Sequence, residues 1–268
     1  MPDIYATIHQ QPRDVVETLA RAMEARAASP QQRAMLEKYL SDVVFPDKAR
    51  VLEIGCGAGP IAEVLASWPG VTSVTGIDPS PVMIEKAREL RGHIKNLSFR
   101  EGDGRALPFG DGEFDVVVIH TVLCHVPQPE RVLTEAFRVL RPAGQLAVFD
   151  GDYETISVSI HQHDPLHACG EHVKASFVND VWLARKLRAM IAASGFQEAG
   201  FASHGYSETT EPTYMLTIVD RGADGLVKDG VIGNELAEAL KAEARRRVSQ
   251  GRFFGHIGFA SLIACKPG

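Results

Sequence analysis

The chain has 268 residues, 45% hydrophobic and 23% charged, with a formal net charge of −6; this allows one large core, or a core with a cap, and excludes the basic face that nucleic-acid binding needs. No apolar run reaches the ~20 residues of a bilayer span, which excludes membrane insertion, and the opening residues lack a charged-then-apolar leader pattern. Cys56, Cys124, Cys169 and Cys265 are scattered without a C-x-x-C pair, so a cytoplasmic chain is expected, with neither a disulfide framework nor a zinc ribbon.

Residues 11–44 carry two helical stripes: Val15, Val16, Leu19, Ala22 and Met23, then Met35, Leu36, Tyr39 and Leu40 after the break at Ser29-Pro30. The stretch Val51-Leu-Glu-Ile-Gly-Cys-Gly-Ala-Gly59 then reads as a short buried strand and a tight turn. Pro60 opens a helix, and Ile61, Val64 and Leu65 continue it. Alternating glycines remove the Cβ atoms that would hold a ligand off the main chain, so backbone N–H groups and a helix N-terminus face the space above the turn. A nucleotide-like cofactor suits such a seat. The dinucleotide fingerprint G-x-G-x-x-G is not met, because its third glycine would stand where Pro60 stands.

Residues 71–77 form the next expected strand, ending at Asp78-Pro-Ser-Pro81. Ser80 is a good N-cap and Pro81 a good first residue for a helix over 82–90. Asp78 stands ~19 residues after Gly59, where a carboxylate at a strand end can accept both hydroxyls of a ribose. A third strand at 97–100 leads into Glu101-Gly-Asp103-Gly-Arg-Ala-Leu-Pro-Phe109. Residues 116–119 are an apolar run bounded by a turn signal, and His120-Thr-Val-Leu-Cys-His125 follows. Val132, Leu133, Ala136, Phe137 and Leu140 share one face of a helix over 130–140, which Arg141-Pro-Ala-Gly144 ends before a fifth strand at 145–149.

With Glu53 ahead of the glycines, E-x-G-x-G-x-G resembles motif I of the class I S-adenosylmethionine-dependent methyltransferases. The strand-end acid, the Gly-Asp-Gly loop, Leu107-Pro-Phe109 and Leu140-Arg-Pro-x-Gly144 extend that resemblance, in order and spacing, over residues 45–150. It is nearest to the type 11 and ubiquinone/menaquinone branch. The resemblance implies a doubly wound α/β fold, with a seven-stranded, mostly parallel sheet and helical lid elements. It also implies S-adenosylmethionine as cofactor, S-adenosylhomocysteine as product and a small organic acceptor. Glu53, Gly55, Gly57 and Gly59 would hold the amino-acid and ribose region, Asp78 the ribose, and Asp103 with Gly104 the adenine. His120 would line the methionine part, with Cys56, Pro79, Met83, Arg105 and Thr121 beside these groups. The N-terminal helices would form a cap over 1–44, with Tyr5 closing over the cofactor.

Beyond residue 150 the expected elements are a helix over 181–194, a strand over 196–204, a helix over 234–248 and a last strand over 258–265. The core is expected over 45–206, a helical insertion or lid over 207–254, and a final edge strand over 255–268. The run Arg245-Arg246-Arg247 falls near a helix end, where cations complement the helix dipole. His125 stands where a general base would be needed, and equally suits packing and loop ordering. The group His161, His163, His167 and His172 has three readings: a metal site, an acceptor-pocket wall or a surface loop. Pro165 argues against a helical ligand pair there, and no metal site is assigned. Tyr5, Tyr39, His163, Trp182 and Phe254 are the acceptor-site candidates, against a core role for the aromatics. A non-catalytic cofactor-binding protein and an NAD-dependent oxidoreductase are the alternatives.

Overall fold

A computed structural model describes residues 3–268. The strands are β1 (Ala49–Ile54), β2 (Val71–Asp78), β3 (Leu97–Glu101), β4 (Phe114–His120), β5 (Leu140–Ser157), β6 (Gln197–Glu208) and β7 (Gly255–Cys265). They form one sheet in the order β3-β2-β1-β4-β5-β7-β6. The first five of that order are mutually parallel, and β7 runs antiparallel to both β5 and β6. The fold is the doubly wound α/β fold that the motifs implied.

The parallel centre follows from composition. Every residue of β4 is buried, as a strand covered on both faces must be. The crossover helices α3 (Pro60–Ala66), α4 (Pro81–Arg91) and α5 (Pro129–Val139) each carry proline in the first turn, where its missing N–H costs nothing. Ser80 caps α4, its hydroxyl accepting the N–H of Met83 at 3.3 Å. Because the strand order reverses between β1 and β4, right-handed crossovers send their helices to opposite faces. A crevice therefore opens above the carboxyl ends of those two strands.

One topological expectation is corrected. The last strand was expected at the sheet edge, yet β7 lies inside and β6 is the edge. The sequence pattern explains this: most of β7 is buried, whereas β6 alternates exposed and half-buried residues. Between them come α8 (Tyr214–Lys228) and α9 (Asn234–Ser249), long enough to let the chain re-enter the sheet one place inward.

Upstream of these lie α6 (His167–Phe177) and α7 (Leu183–Ala193). Pro165 does not prevent a helix in the histidine-rich segment; α6 starts two residues after it. His161, His163 and His167 are exposed, while His172 is buried against α8. A Cβ at Gly222 would fall 2.2 Å from the Cys169 carbonyl oxygen, and one at Gly225 would fall 2.1 Å from His172 Nε2, so α8 meets the α6 backbone at the first glycine and seats the His172 ring on the second. No group of three or more His, Cys, Asp or Glu among the described residues is placed to hold a metal ion. No described helix is long and apolar enough to cross a membrane.

Ahead of β1 lie α1 (Arg13–Ala27) and α2 (Pro30–Ser41). Arg91, at the end of α4, holds α1 over the glycine turn. Its Nη1 and Nη2 donate to Glu24 of α1 at 2.9 and 2.8 Å, and its Nε donates to Glu63 of α3 at 2.8 Å. Nη1 also donates to the Ala58 carbonyl at 3.0 Å. The guanidinium is buried while both glutamates reach solvent. Its removal therefore costs less than breaking a fully buried pair. Arg91→Met is expected to lower stability by about 1–3 kcal/mol and to speed amide exchange through α1 while β4 keeps its protection. Exchange in α1 unchanged from the parent would refute this tether.

Candidate functional site

The turn between β1 and α3 requires its glycines. Gly55, Gly57 and Gly59 have φ of 74°, 52° and 91°, a region L side chains rarely adopt. Each also faces a different neighbour at close range. A Cβ would stand 2.5 Å from Val122 Cγ2 at Gly55, 2.8 Å from Met23 Sδ at Gly57 and 2.6 Å from Phe99 Cζ at Gly59. The glycine at 59 thus serves packing against β3, whereas those at 55 and 57 border the crevice and its roof. Asp78 pins the turn: one carboxylate oxygen accepts the N–H of Gly57 and the other that of Ser80, both at 2.9 Å.

Three adjoining cavities surround this turn. The inner one lies under α1 and α2 and is lined by Glu53, Gly55, Cys56, Arg26, His120 and Thr121 among others. The front one opens beside Gly55, Pro79, Asp103, Gly104 and Arg105. The lateral one is walled by Tyr5, Arg26, His125, Tyr153, Tyr214 and Arg221 among others, and encloses about 590 Å³ with its open mouth included. Gly55 joins inner to front, Tyr5 joins front to lateral, and Met23, Arg26 and Thr121 join inner to lateral. Thr121, at that last junction, is held at φ 53°. A β-branched residue there is strained, and such strain gathers at functional sites. Its N–H donates to the Phe149 carbonyl at 2.6 Å, and its hydroxyl accepts from Arg26 Nη2 at 2.8 Å.

The electrostatics of the inner cavity are unusual. Burial, reinforced by the Asp78 charge, pushes the Glu53 carboxyl up to about 8; an Ala62 backbone hydrogen bond and the Arg91 charge pull the other way. Its Oε2 is buried and has no hydrogen-bond partner. Burial also pushes Asp78 up to about 6, against its two backbone hydrogen bonds. Both carboxyls thus sit above their unfolded values of roughly 4. The folded chain binds more protons than the unfolded one between about pH 4 and 8. The contribution of these groups to stability is full below that window and declines as pH rises through it. Burial, with the nearby Arg26 charge, brings His120 down to about 3, so its ring is neutral. Its Nδ1 pairs with the Tyr39 hydroxyl at 3.0 Å, and it stacks on Phe149.

In the lateral cavity, His125 Nδ1 meets Asp3 Oδ2 at 2.7 Å. Asp3 is itself fixed by the N–H groups of Tyr5 at 2.8 Å and Asn179 at 2.9 Å. With the Nδ1 proton committed to a carboxylate, Nε2 is the basic ring nitrogen. Tyr5 lies over the His125 ring at 4.6 Å between centroids.

The structure brings some sequence candidates together and disperses others. Glu53, Gly55, Cys56, His120 and Thr121 line the inner cavity, and Pro79, Asp103, Gly104 and Arg105 the front one. Met83 lies instead in a small cluster beneath α1 with Val16, Leu19 and Ala58. Of the acceptor-site candidates, Tyr5 alone borders these cavities. Tyr39 is spent on His120 and packed on Phe149. Trp182 is exposed at the start of α7 under the Arg185 guanidinium, Phe254 is exposed and stacked on His256, and His163 is on the surface. These four are corrected: Tyr39 sits on α2, which borders the inner cavity, but its hydroxyl is taken up by His120 below the lining, and His163, Trp182 and Phe254 stand on the surface outside these cavities. Sequence reading missed Asp3, Arg26, Tyr153, Tyr214 and Arg221, which no local spacing marks, because four separate segments supply them: the N-terminal residues, α1, β5 and α8.

A family model described as a methyltransferase domain matches residues 52–148. The demethylmenaquinone methyltransferase of Listeria monocytogenes is 32% identical over 164 residues, covering 57% of this chain and 69% of that protein. The arsenite methyltransferase of Halobacterium salinarum is 34% identical over 164 residues, covering 60% of this chain and 40% of that protein. Among solved structures, the cyclase SpnF superposes with a TM-score of 0.62 at 20% identity, over 100% of this chain and 98% of its own, a likeness of fold alone. The chain spans about half the length of the curated relatives it matches. The relative covered over 69% of its length, together with the domain match across the glycine turn and both strand-end acids, makes this chain a member of the class I S-adenosylmethionine-dependent methyltransferase family.

Proposed function

We propose that this protein transfers a methyl group from S-adenosylmethionine to a small organic acceptor by in-line displacement, in the cytoplasm. The observation that carries this reading is the unpartnered Oε2 of Glu53, buried in a cavity whose other wall holds the Arg26 guanidinium. A carboxylate and a guanidinium across one small space suit the ammonium and carboxylate of an amino acid, such as the methionine part of the cofactor. The front cavity, with Asp103 and Gly104 at its rim, suits the adenine. Asp78 reaches the ribose hydroxyls while keeping the turn in shape, since a carboxylate offers about four acceptor sites and two are used.

When bound, the cofactor supplies a methyl group activated on a sulfonium. The chain's own residues need to align the acceptor and exclude water, and alignment alone can contribute roughly 7–11 kcal/mol. Thr121 stands where the inner cavity meets the lateral one, so its strained backbone sets the passage between donor and acceptor. His125 Nε2 takes the acceptor's proton, with Asp3 holding the ring and stabilising its charged form. The alternative of a non-catalytic binding protein is separated by turnover.

Two experiments test this reading. First, the bound ammonium favours the ionised form of Glu53, so the complex binds fewer protons than the free protein. Affinity for S-adenosylhomocysteine should rise as pH rises towards about 8 and level off above it. Calorimetry in buffers of different ionisation enthalpy should record proton release near neutrality in the parent and much less in Glu53→Gln, where Asp78 alone remains raised. Release in Glu53→Gln equal to the parent's would reject the ammonium role. Second, labelled S-adenosylmethionine with a small-molecule metabolite extract should give a methylated product. His125→Gln and Asp3→Asn should each lower that rate by roughly 10²–10⁴-fold, with affinity for S-adenosylhomocysteine kept within about threefold. Equal rates in these variants would remove the base. Cofactor binding without product from any extract would favour the non-catalytic alternative.

A further inference from the structure

The lateral cavity contains a positive charge with nothing to balance it. Arg221, half-buried on α8, lines this space with Tyr5, Tyr153 and Tyr214, and its neighbour across it is the neutral Tyr5 hydroxyl rather than an acid. No Asp or Glu among the described residues lies within 4.0 Å of its guanidinium, although the chain pairs most of its other buried or half-buried arginines. The acids on the same helix are committed elsewhere: Asp220 to Arg245 at 2.9 Å and Asp224 to Lys241, both on α9. Asp14 borders an adjoining outer cavity with Arg221 but lies beyond pairing distance. Asp3 is occupied by His125 and two backbone N–H groups.

An unpaired cation in a partly desolvated pocket is unfavourable in the free protein and strongly favourable to an incoming anion. The neighbouring groups add to this. Burial raises the Tyr153 and Tyr214 hydroxyls above their ordinary range, so both remain neutral donors. Arg26 supplies positive potential at the inner end, where its own partners are Thr121 and, on the methyl-transfer reading, the cofactor's carboxylate. The wall therefore offers a planar fork of N–H donors flanked by hydroxyl donors, with Val173, Phe177 and Ile218 as the apolar remainder. That chemistry fits a carboxylate or phosphate group on a small, partly apolar molecule.

We infer that the methyl acceptor is a small organic anion, whose carboxylate or phosphate is held by the Arg221 guanidinium with Tyr5, Tyr153 and Tyr214, so that its nucleophilic atom is presented between His125 and Thr121. This rests on the methyl-transfer reading for the role of acceptor; the anion site itself does not. The proton-bearing nucleophile of such an acceptor, a hydroxyl or an acidic carbon, is the kind that needs the imidazole standing in the same cavity.

The test uses the whole chain loaded with S-adenosylhomocysteine and three probes of similar size: benzoate, phenyl phosphate and neutral benzamide. Calorimetric titration should show at least one anion binding ten times or more tighter than benzamide, and which one binds distinguishes a carboxylate from a phosphate acceptor. Arg221→Met should weaken that anion at least tenfold, Arg221→Lys should recover part of the loss, and both should bind S-adenosylhomocysteine as the parent does. Benzamide binding as well as either anion, no measurable binding by either anion, or full anion affinity in Arg221→Met would each overturn the inference. Failure of S-adenosylhomocysteine to bind would instead overturn the methyl-transfer reading and leave the anion titration of the unloaded chain to judge this one.

Discussion

The contact on which the site depends is the pair of hydrogen bonds from Gly57 and Ser80 N–H to the Asp78 carboxylate. One side chain at the end of β2 fixes both the glycine turn after β1 and the first turn of α4. The three glycines on their own would give a flexible bend, since glycine loses more backbone freedom on folding than any other residue. Asp78 turns that bend into a shape. The cost is visible in its carboxyl, which burial lifts to about 6 despite two N–H donors. A fold selected for stability alone would not keep a second acid, Glu53, buried two residues before the turn with one oxygen unsatisfied. Two raised carboxyls and a left-handed threonine within one crevice are local violations that make sense where a ligand relieves them.

The roof over that crevice is attached by charge rather than by a large apolar interface. Ile8, Val16, Leu19 and Ala20 form only a small cluster with Ala58 and Met83. Arg91 adds links from α4 to α1 and α3 and to the glycine turn's own carbonyl. A cover of this kind can lift without exposing the main core, which lies around the sheet. Met23 rests directly on Gly57, so α1 closes the inner cavity from above, where water would otherwise enter. Exclusion of water strengthens every electrostatic interaction within.

Much of the centre was legible because its signals are local. A strand covered on both faces reads as an apolar run, a crossover helix announces itself by Pro at its first turn, and the glycine turn carries its own spacing. Asp78 follows from the same logic, as it stands at a strand end a fixed distance after the glycine turn, whereas Asp103 was marked only by the likeness of its Gly-Asp-Gly loop to the family's. The misplacements have equally local causes. Tyr39 has the composition of a pocket residue, but its neighbour His120 claims the hydroxyl. The end of the chain reads as a plain strand, and its place inside the sheet depends on partners on both sides that no periodicity encodes. Pro165 suggested a break and instead precedes a helix, because proline is disfavoured within a helix and tolerated ahead of its first turn. Asp3, Arg26 and Arg221 carry no signature at all. Each is an ordinary charged residue, and only the tertiary fold gathers them.

The legible residues and the illegible ones fall on different parts of the chain. The segment matching the family, residues 52–148, contains Glu53, Gly55, Asp103 and Thr121, which face the inner and front cavities, and Asp78, which pins the turn behind them. Asp3, Tyr5, Arg26, Tyr153, Tyr214 and Arg221 all lie outside it, on the N-terminal segment, on the long β5 and on α8. Of the titratable groups that wall the lateral cavity, His125 alone falls within the matched segment. The lateral wall is thus assembled largely from segments outside the matched one, so its chemistry can change while the strand order, the glycine turn and the strand-end acids stay as they are. A site whose positive charge comes from a helix inserted between the last two strands can be altered without disturbing the sheet that positions everything else.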